Sequence, residues 1–149
     1  MNDSSQGLET REPLTQTVLY AAKDIRARFE AALATEGGTL TAWLALRELT
    51  DPDGISQREL ATRLKLEGPT LTHHCDRLEA DGLINRRVSP RDRRVLLLTR
   101  TDAGETMFLR LSVVARRFNK QLMAGLTPAE IATFTDLLHR ITANVVDSR

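Results

Sequence analysis

The sequence predicts a mainly α-helical protein with one small β-hairpin near its middle. Apolar residues recur at steps of three and four near both ends of the 149-residue chain, which is typical of amphipathic helices. Two short helical segments occupy the middle, and two strand-like segments separated by turn residues follow them. A chain of this length forms a single domain by default, so we expect one domain over residues 1–149.

Longer helical regions are predicted at about residues 13–36 and 102–147, with a shorter helix from Thr39 to Leu49. Pro13 suits the first position of the first helix. In the last helix, "TPAE" combines a capping box with proline at the first helical position. The residues before Pro13 are polar, and we expect them to be mobile.

Two short helices joined by a tight connection are predicted in the middle of the chain. Ser56 and Glu59 have the spacing of a capping box at the start of the first. Pro69 begins the second, and Gly82 suits the left-handed position after its end. Three residues lie on the inner apolar face of the second helix: Leu71, Cys75 and Leu78.

A basic hairpin follows these helices. "LINRRV" and "RVLLLT" have strand composition, and five arginines lie between Arg86 and Arg94. Residues 56–100 carry ten Lys and Arg against six Asp and Glu, whereas the rest of the chain carries 11 basic and 14 acidic residues. This asymmetry favours a segment that binds a polyanion, the alternative being a solvated hairpin edge whose charge discourages aggregation.

The order of these elements predicts a winged helix-turn-helix lobe over about residues 39–100. In such a lobe the second short helix enters a DNA major groove while the first crosses the backbone. The hairpin then places arginine in the minor groove, where the negative potential is strongest when the groove is narrow. We therefore expect double-stranded DNA as a partner.

Between Thr39 and Gly104 the chain resembles the MarR family of transcription regulators, most specifically in "DRLEADGLINR" and "DRRVLLLTRTDAG". The resemblance implies a homodimer in which helices 13–36 and 102–147 intertwine, with one winged lobe per protomer. It also implies repression from a pseudo-palindromic operator, with release by a small molecule or by oxidation. The apolar stripe from Ile131 to Val145 agrees with a dimer, because a lone chain would expose it.

The resemblance implies a set of DNA-binding residues on the two short helices and the hairpin. They are Ser56, Gln57, Thr70, Thr72, His73, Arg77, Arg86, Arg91, Arg93 and Arg94. Within this set we expect Arg93 in the minor groove and Arg91 on a phosphate. His73 stands where relatives often have arginine, which leaves the base preference open and makes a pH-sensitive contact conceivable.

Structural alternatives remain open for the recognition helix. Arg77 either contacts guanine or a phosphate, or forms an ion pair with Asp81 four residues on. The hydroxyls of Thr70 and Thr72 either meet DNA or cap the start of the helix.

Structural alternatives also remain open in the hairpin. Asp92 is expected to hold the shape of the wing through an ion pair with Arg94, which also stays a candidate for DNA contact. Arg86 and Arg87 alternate sides of a strand, so only one of them faces DNA directly.

Other candidate sites carry less weight. His73, His74 and Cys75 point about 100° apart on a helix and do not converge on one metal ion, so neither a metal nor a cofactor is expected. Cys75 either packs in the core or senses oxidants. Tyr20 and Trp43 either pack in the core or line a pocket for a phenolic or other aromatic effector.

Composition and motifs exclude several function classes. The chain has a single cysteine, no signal-peptide pattern and no apolar run long enough to span a membrane, which favours the cytoplasm. No phosphate-binding glycine-rich loop, zinc-ligand motif or nucleophile elbow is present, so we do not expect an enzyme. The remaining alternative is a winged helix that binds proteins without binding DNA.

Overall fold

A computed structural model of the protein describes residues 13–146. In this range the chain is mainly helical with a small sheet, which confirms the predicted fold class. The elements in chain order are α1 (Leu14–Ala34), α2 (Leu40–Glu48), β1 (Ile55–Ser56), α3 (Gln57–Leu64), α4 (Gly68–Ala80), β2 (Ile84–Val88), β3 (Leu96–Arg100), α5 (Asp102–Leu122) and α6 (Pro128–Val146). Residues 1–12, expected to be mobile, and residue 147, the expected end of the last helix, lie outside the described residues.

The starts of α1 and α2 are set by local hydrogen bonds. Pro13 is the residue before α1 and not its first helical residue as predicted, because its ψ of 136° is not helical. Its carbonyl still accepts from the backbone N–H of Gln16 at 2.8 Å. The hydroxyl of Thr39 accepts from the backbone N–H of Ala42 at 3.1 Å and caps α2.

The predicted helix pair is present as α3 and α4. Ser56 Oγ accepts from the backbone N–H of Glu59 at 3.1 Å, which confirms the predicted cap. The other half of the predicted capping box is not formed among the described residues: the Glu59 carboxylate pairs with Arg63 one turn later instead of with the backbone N–H of Ser56. Lys65 ends α3 in the left-handed region, at φ 53°, and Gly82 does the same after α4, at φ 70°.

The wing is part of a three-stranded antiparallel sheet of order β1-β3-β2. Strands β2 and β3 pair from Ile84 with Arg100 to Val88 with Leu96, and residues 89–95 form the loop between them. The sequence did not predict β1, in which Ile55 pairs with Leu98, because two residues are too short to show a period.

One apolar core joins α2, α3, α4 and the sheet. Side chains from each of these elements are completely buried in it, among them Leu46, Leu60, Leu71 and Leu98. The orientation of α4 is therefore fixed by packing on three sides, since close-packed interiors resist small rotations.

The start of α5 approaches the end of α4 at a glycine. The hydroxyl of Thr101 accepts from the backbone N–H of Gly104 at 2.9 Å and caps α5. A Cβ on Gly104 would lie 2.0 Å from the carbonyl oxygen of Leu83. Only glycine fits at this contact without movement of the backbone.

The chain divides into two compact units, one ending at Ala115 and the other beginning at Arg116. The second unit contains the end of α5 and all of α6. At the start of α6, the Glu130 carboxylate accepts from the backbone N–H of Thr127 at 2.7 Å, and Thr127 Oγ1 accepts from that of Glu130 at 3.3 Å. The predicted capping box is therefore present in full, and α6 buries none of its residues within this chain.

Candidate nucleic-acid interface

The recognition helix α4 separates a buried face from an exposed polar face. Its buried residues are the predicted Leu71, Cys75 and Leu78. The exposed residues include Thr70, Thr72, His73 and Arg77. The spacing of the apolar residues thus turns the polar side chains of α4 away from the core.

The structure distinguishes between the alternatives for α4. The residue before the helix is Glu67, and neither Thr70 nor Thr72 caps it. Arg77 and Asp81 both line a cavity, but within the described residues they do not form an ion pair. The guanidinium of Arg77 is therefore not neutralised by its neighbour one turn later.

The two short helices are joined at their exposed sides by a hydrogen bond. Gln57 Nε2 donates to Thr72 Oγ1 at 2.7 Å, and Thr72 Oγ1 donates to the carbonyl of Gly68 at 3.0 Å. Ser56, the third polar residue here, uses its hydroxyl to cap α3. The predicted site residues Gln57 and Thr72 are thus in contact, although 15 positions separate them.

Arg86 lies against α4, and its guanidinium forms hydrogen bonds and ion pairs with residues of that helix. Its Nη1 donates to Asp76 Oδ1 at 2.6 Å and to Glu79 Oε2 at 3.0 Å, and its Nη2 donates to the carbonyl of Thr72 at 3.4 Å. The Arg86 side chain is only 16% exposed. Its charge is balanced by two carboxylates, so this contact ties the wing to the recognition helix.

The loop of the wing presents three arginines to solvent: Arg91, Arg93 and Arg94. Among the described residues, none of these three forms an ion pair. The expected ion pair between Asp92 and Arg94 is wrong, because the carboxylate accepts from the backbone N–H of Arg94 at 2.9 Å instead. Asp92 therefore shapes the loop through an Asx turn, in which an aspartate bonds its own backbone two residues on.

Arg87, on the opposite side of β2 from Arg86, is also engaged. Its Nη2 donates to the carbonyl of Asp53 at 2.6 Å. Among the described residues, Arg77 on α4 and the three arginines of the loop carry positive charges that no ion pair balances. These groups lie on adjacent elements of one lobe, and together they can contact a polyanion.

The buried thiol of Cys75 is not activated. The side chain is completely buried, and burial raises the pKa of its thiol, while the nearby Arg86 opposes this shift. A thiol with a raised pKa holds little reactive thiolate, which favours the core-packing interpretation. Within residues 13–146, no three His, Cys, Asp or Glu side chains are placed to hold a metal ion.

The aromatic residues proposed for an effector pocket lie elsewhere than the cavity. Trp43 packs edge-on against Phe29, with ring centroids 5.4 Å apart, and its Nε1 donates to Ser112 Oγ at 3.5 Å. Tyr20 is 58% exposed on α1. Neither residue lines the cavity described next.

A cavity of about 500 Å³ lies between α1, α2, α4 and α5. Its polar lining comes from Arg26, Glu30, Thr39, Thr41, His74, Arg77 and Asp81. Burial lowers the pKa of His74, and the positive charges of His73 and Arg77 lower it further. The sequence does not predict this cavity, because four helices that are separated along the chain form it. The one signal in the sequence is His74, a histidine next to the buried face of α4.

Comparisons with known proteins show which proteins the chain is similar to. The family model described as "MarR family" matches residues 39–96. An uncharacterized HTH-type transcriptional regulator of Bacillus subtilis, YdgJ, is 29% identical over 123 residues, which are 83% of this chain and 73% of the relative. None of the described helices is both long and apolar enough to span a membrane.

Two solved structures illustrate the shared fold. The PcaV transcriptional regulator from Streptomyces coelicolor, in complex with its natural ligand, is 28% identical with a TM-score of 0.77 and covers 90% of this chain and 97% of its own. A cysteine-to-serine mutant of MarR from E. coli, complexed with operator DNA, is 24% identical with a TM-score of 0.80 and covers 87% and 93%. The second likeness shows the fold alone.

Proposed function

We propose that this chain is a member of the MarR family of transcriptional regulators, and that it is a homodimeric repressor that reads a specific DNA sequence. One observation carries the proposal. The exposed polar face of α4 and the unpaired arginines of the wing loop lie on a single lobe whose core fixes the direction of α4. Members of the family regulate transcription and are not enzymes.

Each part of the lobe has a separate task on DNA. The exposed face of α4 enters the major groove, where Thr70, Thr72 and His73 meet base edges and Arg77 pairs with guanine or a phosphate. The wing loop places Arg93 in the minor groove and Arg91 on a phosphate, with Arg94 beside them. We leave Arg86 out of the direct contacts, because its charge is balanced by Asp76 and Glu79.

A second copy of the chain is the proposed partner of α1 and α6. Large apolar side chains are exposed on both helices, among them Leu14 at 67%, Leu19 at 61%, Phe134 at 60% and Val145 at 72%. Such surfaces are rarely left in water by a monomer. A two-fold dimer places two α4 helices about 34–36 Å apart, one turn of DNA, and therefore reads a pseudo-palindrome.

Sedimentation equilibrium tests the dimer. We expect twice the mass of the chain, and we expect Phe134→Lys to shift the equilibrium towards the monomer. Thr133→Lys adds the same charge at the neighbouring, polar position of α6 and serves as the control. A wild type that sediments as a monomer at all concentrations would refute the dimer.

The cavity is the proposed effector site. Its lining includes His74 and Arg77 of α4 together with Met107 of α5, so a bound molecule contacts the recognition helix directly. A ligand that binds more tightly to dimers whose lobe spacing does not match one turn of DNA favours that conformation, and the dimer then releases the operator. A phenol or an aromatic acid suits this lining, because the arginines and His74 can hold an oxygen and the apolar groups can hold a ring.

Thermal unfolding with benzoate and with phenol tests the effector site. We expect a rise in melting temperature that Thr41→Trp, which fills the cavity, abolishes, while Thr106→Trp on the exposed side of α5 does not. Stabilisation that persists in Thr41→Trp would place the ligand elsewhere.

Selection of bound duplexes from a random pool tests DNA reading itself. We expect an enriched inverted repeat with half-sites about one turn apart. Weak binding that depends strongly on salt and enriches no sequence would refute the proposal. The wing and α4 would then be better explained as a surface that binds proteins.

A further inference from the structure

The hydroxyl of Thr72 is already engaged within the lobe. It donates to the carbonyl of Gly68 at 3.0 Å and accepts from Gln57 Nε2 at 2.7 Å. A threonine hydroxyl has one hydrogen to donate, so its donor is used and one of its two lone pairs is occupied. Thr72 nevertheless lies on the exposed face of α4.

Thr70, two residues before Thr72 in α4, differs in its hydrogen bonding. Within the described residues its hydroxyl has no hydrogen-bond partner, and the side chain is exposed. Thr70 can therefore meet polar groups, whereas Thr72 holds its polar atom against the protein. The Thr72 hydroxyl has no hydrogen left to donate to a base, and the methyl group is the apolar part of the side chain that remains for a ligand.

From this we infer that Thr72 reads the C5-methyl group of thymine, and that Gln57 is a positioning residue that holds the Thr72 hydroxyl away from the base. The inference rests on the proposed reading of DNA by α4. In the major groove, thymine is the base that carries a methyl group, and apolar side-chain atoms are its usual partners. A 5-methylcytosine at the same place offers the same group.

The expected effect follows from the size of one methyl group. Burying a group of this size corresponds to about a fourfold change in affinity per half-site, by the transfer free energy of a single carbon group. Two equivalent half-sites on a dimer then give about a fifteenfold change for the whole operator. Both effects are large enough to measure by fluorescence anisotropy.

The test uses the duplex obtained by selection, with each thymidine replaced in turn by 2′-deoxyuridine, which lacks the methyl group. For the wild type we expect one position per half-site at which the replacement weakens binding about fourfold. Thr72→Val, which keeps methyl groups and loses the hydroxyl, should retain this preference. Thr72→Ser, which keeps the hydroxyl and loses the methyl, should lose it.

Gln57→Met tests the positioning role. As a single substitution, we expect it to reduce the preference for thymidine over deoxyuridine. Combined with Thr72→Val it should have no such effect, because no hydroxyl remains to be held. Thr106 is a matched control, because its hydroxyl bonds the carbonyl of Asp102 at 3.0 Å in the same way but on α5. Thr106→Ser should leave the preference unchanged.

Two results would overturn the inference while leaving DNA reading intact. One is a selected duplex on which no thymidine depends on the side chain at position 72. The other is a preference that Thr72→Ser keeps and Thr72→Val loses, because the hydroxyl would then be the reading group. Failure to enrich any duplex would refute the proposed function together with this inference.

Discussion

Replacing Arg86 with methionine separates a residue that ties two elements together from one that contacts DNA. The guanidinium bridges β2 to Asp76 and Glu79 of α4, and methionine keeps the apolar stem while it removes the charge. We expect the variant to be less stable and to bind DNA more weakly. We also expect the dependence of its DNA affinity on salt to stay close to that of the wild type.

The size of the stability loss in Arg86→Met follows from how exposed the two carboxylate partners of Arg86 are. Asp76 and Glu79 are 56% and 43% exposed, so each pair is worth what a surface ion pair is worth, up to about 1 kcal/mol. Together we expect the free energy of unfolding to fall by about 1–2 kcal/mol. For a protein of this size that corresponds to about 2–8 °C in melting temperature.

The assay combines urea unfolding with DNA titrations at several salt concentrations. Loss of one phosphate contact would lower the slope of log affinity against log salt by about 0.9. We expect this change in Arg91→Met, whose side chain has no ion pair among the described residues, but not in Arg86→Met. An Arg86→Met variant with wild-type stability and a slope reduced by one contact would refute the assignment, since Arg86 would then contact DNA.

Three further predictions concern stability, the wing and pH. Gly104→Ala should lower the free energy of unfolding in urea by about 3 kcal/mol, because the new Cβ meets the Leu83 carbonyl, whereas Gly68→Ala, which meets no atom within 4 Å, should not. Arg93→Ala should weaken binding to all DNA sequences alike and lower the salt slope by about 0.9; unchanged affinity in gel-shift titrations would exclude the wing contact. Because the pKa of His74 is lowered on folding, the unfolded chain binds more protons below pH of about 6.5, so stability should decline as pH falls through that value. Thermal unfolding of His74→Gln should show a weaker decline, and an identical pH profile would contradict this origin.

The sequence predicted those parts of the fold that depend on neighbours in the chain. The caps at Ser56 and Thr127 involve residues three positions apart, and the buried face of α4 follows from a period of 3.6. Strand β1 was missed because its partner Leu98 lies far along the chain and its two residues carry no pattern.

The candidate site was predicted less completely, because charge alone does not reveal a partner. The sequence predicts Arg86 as a DNA contact, but its guanidinium forms ion pairs with the carboxylates of Asp76 and Glu79 on α4. The Asp92 carboxylate accepts a hydrogen bond from the backbone N–H of Arg94 and does not pair with the Arg94 guanidinium. The residue type of Trp43 suggested a pocket, but Trp43 does not line the cavity, which lies between four helices that are separated along the chain.

The join between α4 and α5 has a mechanical consequence. Thr101 Oγ1 donates to the carbonyl of Gly82 at 2.6 Å, and the backbone N–H of Thr101 donates to that of Leu83 at 3.1 Å. The backbone of Gly104 lies so near the same Leu83 oxygen that a Cβ there would be only 2.0 Å from it. These contacts join the first turn of α5 to the end of α4. We therefore expect a molecule that displaces α5 beside Met107 to shift the end of α4 as well.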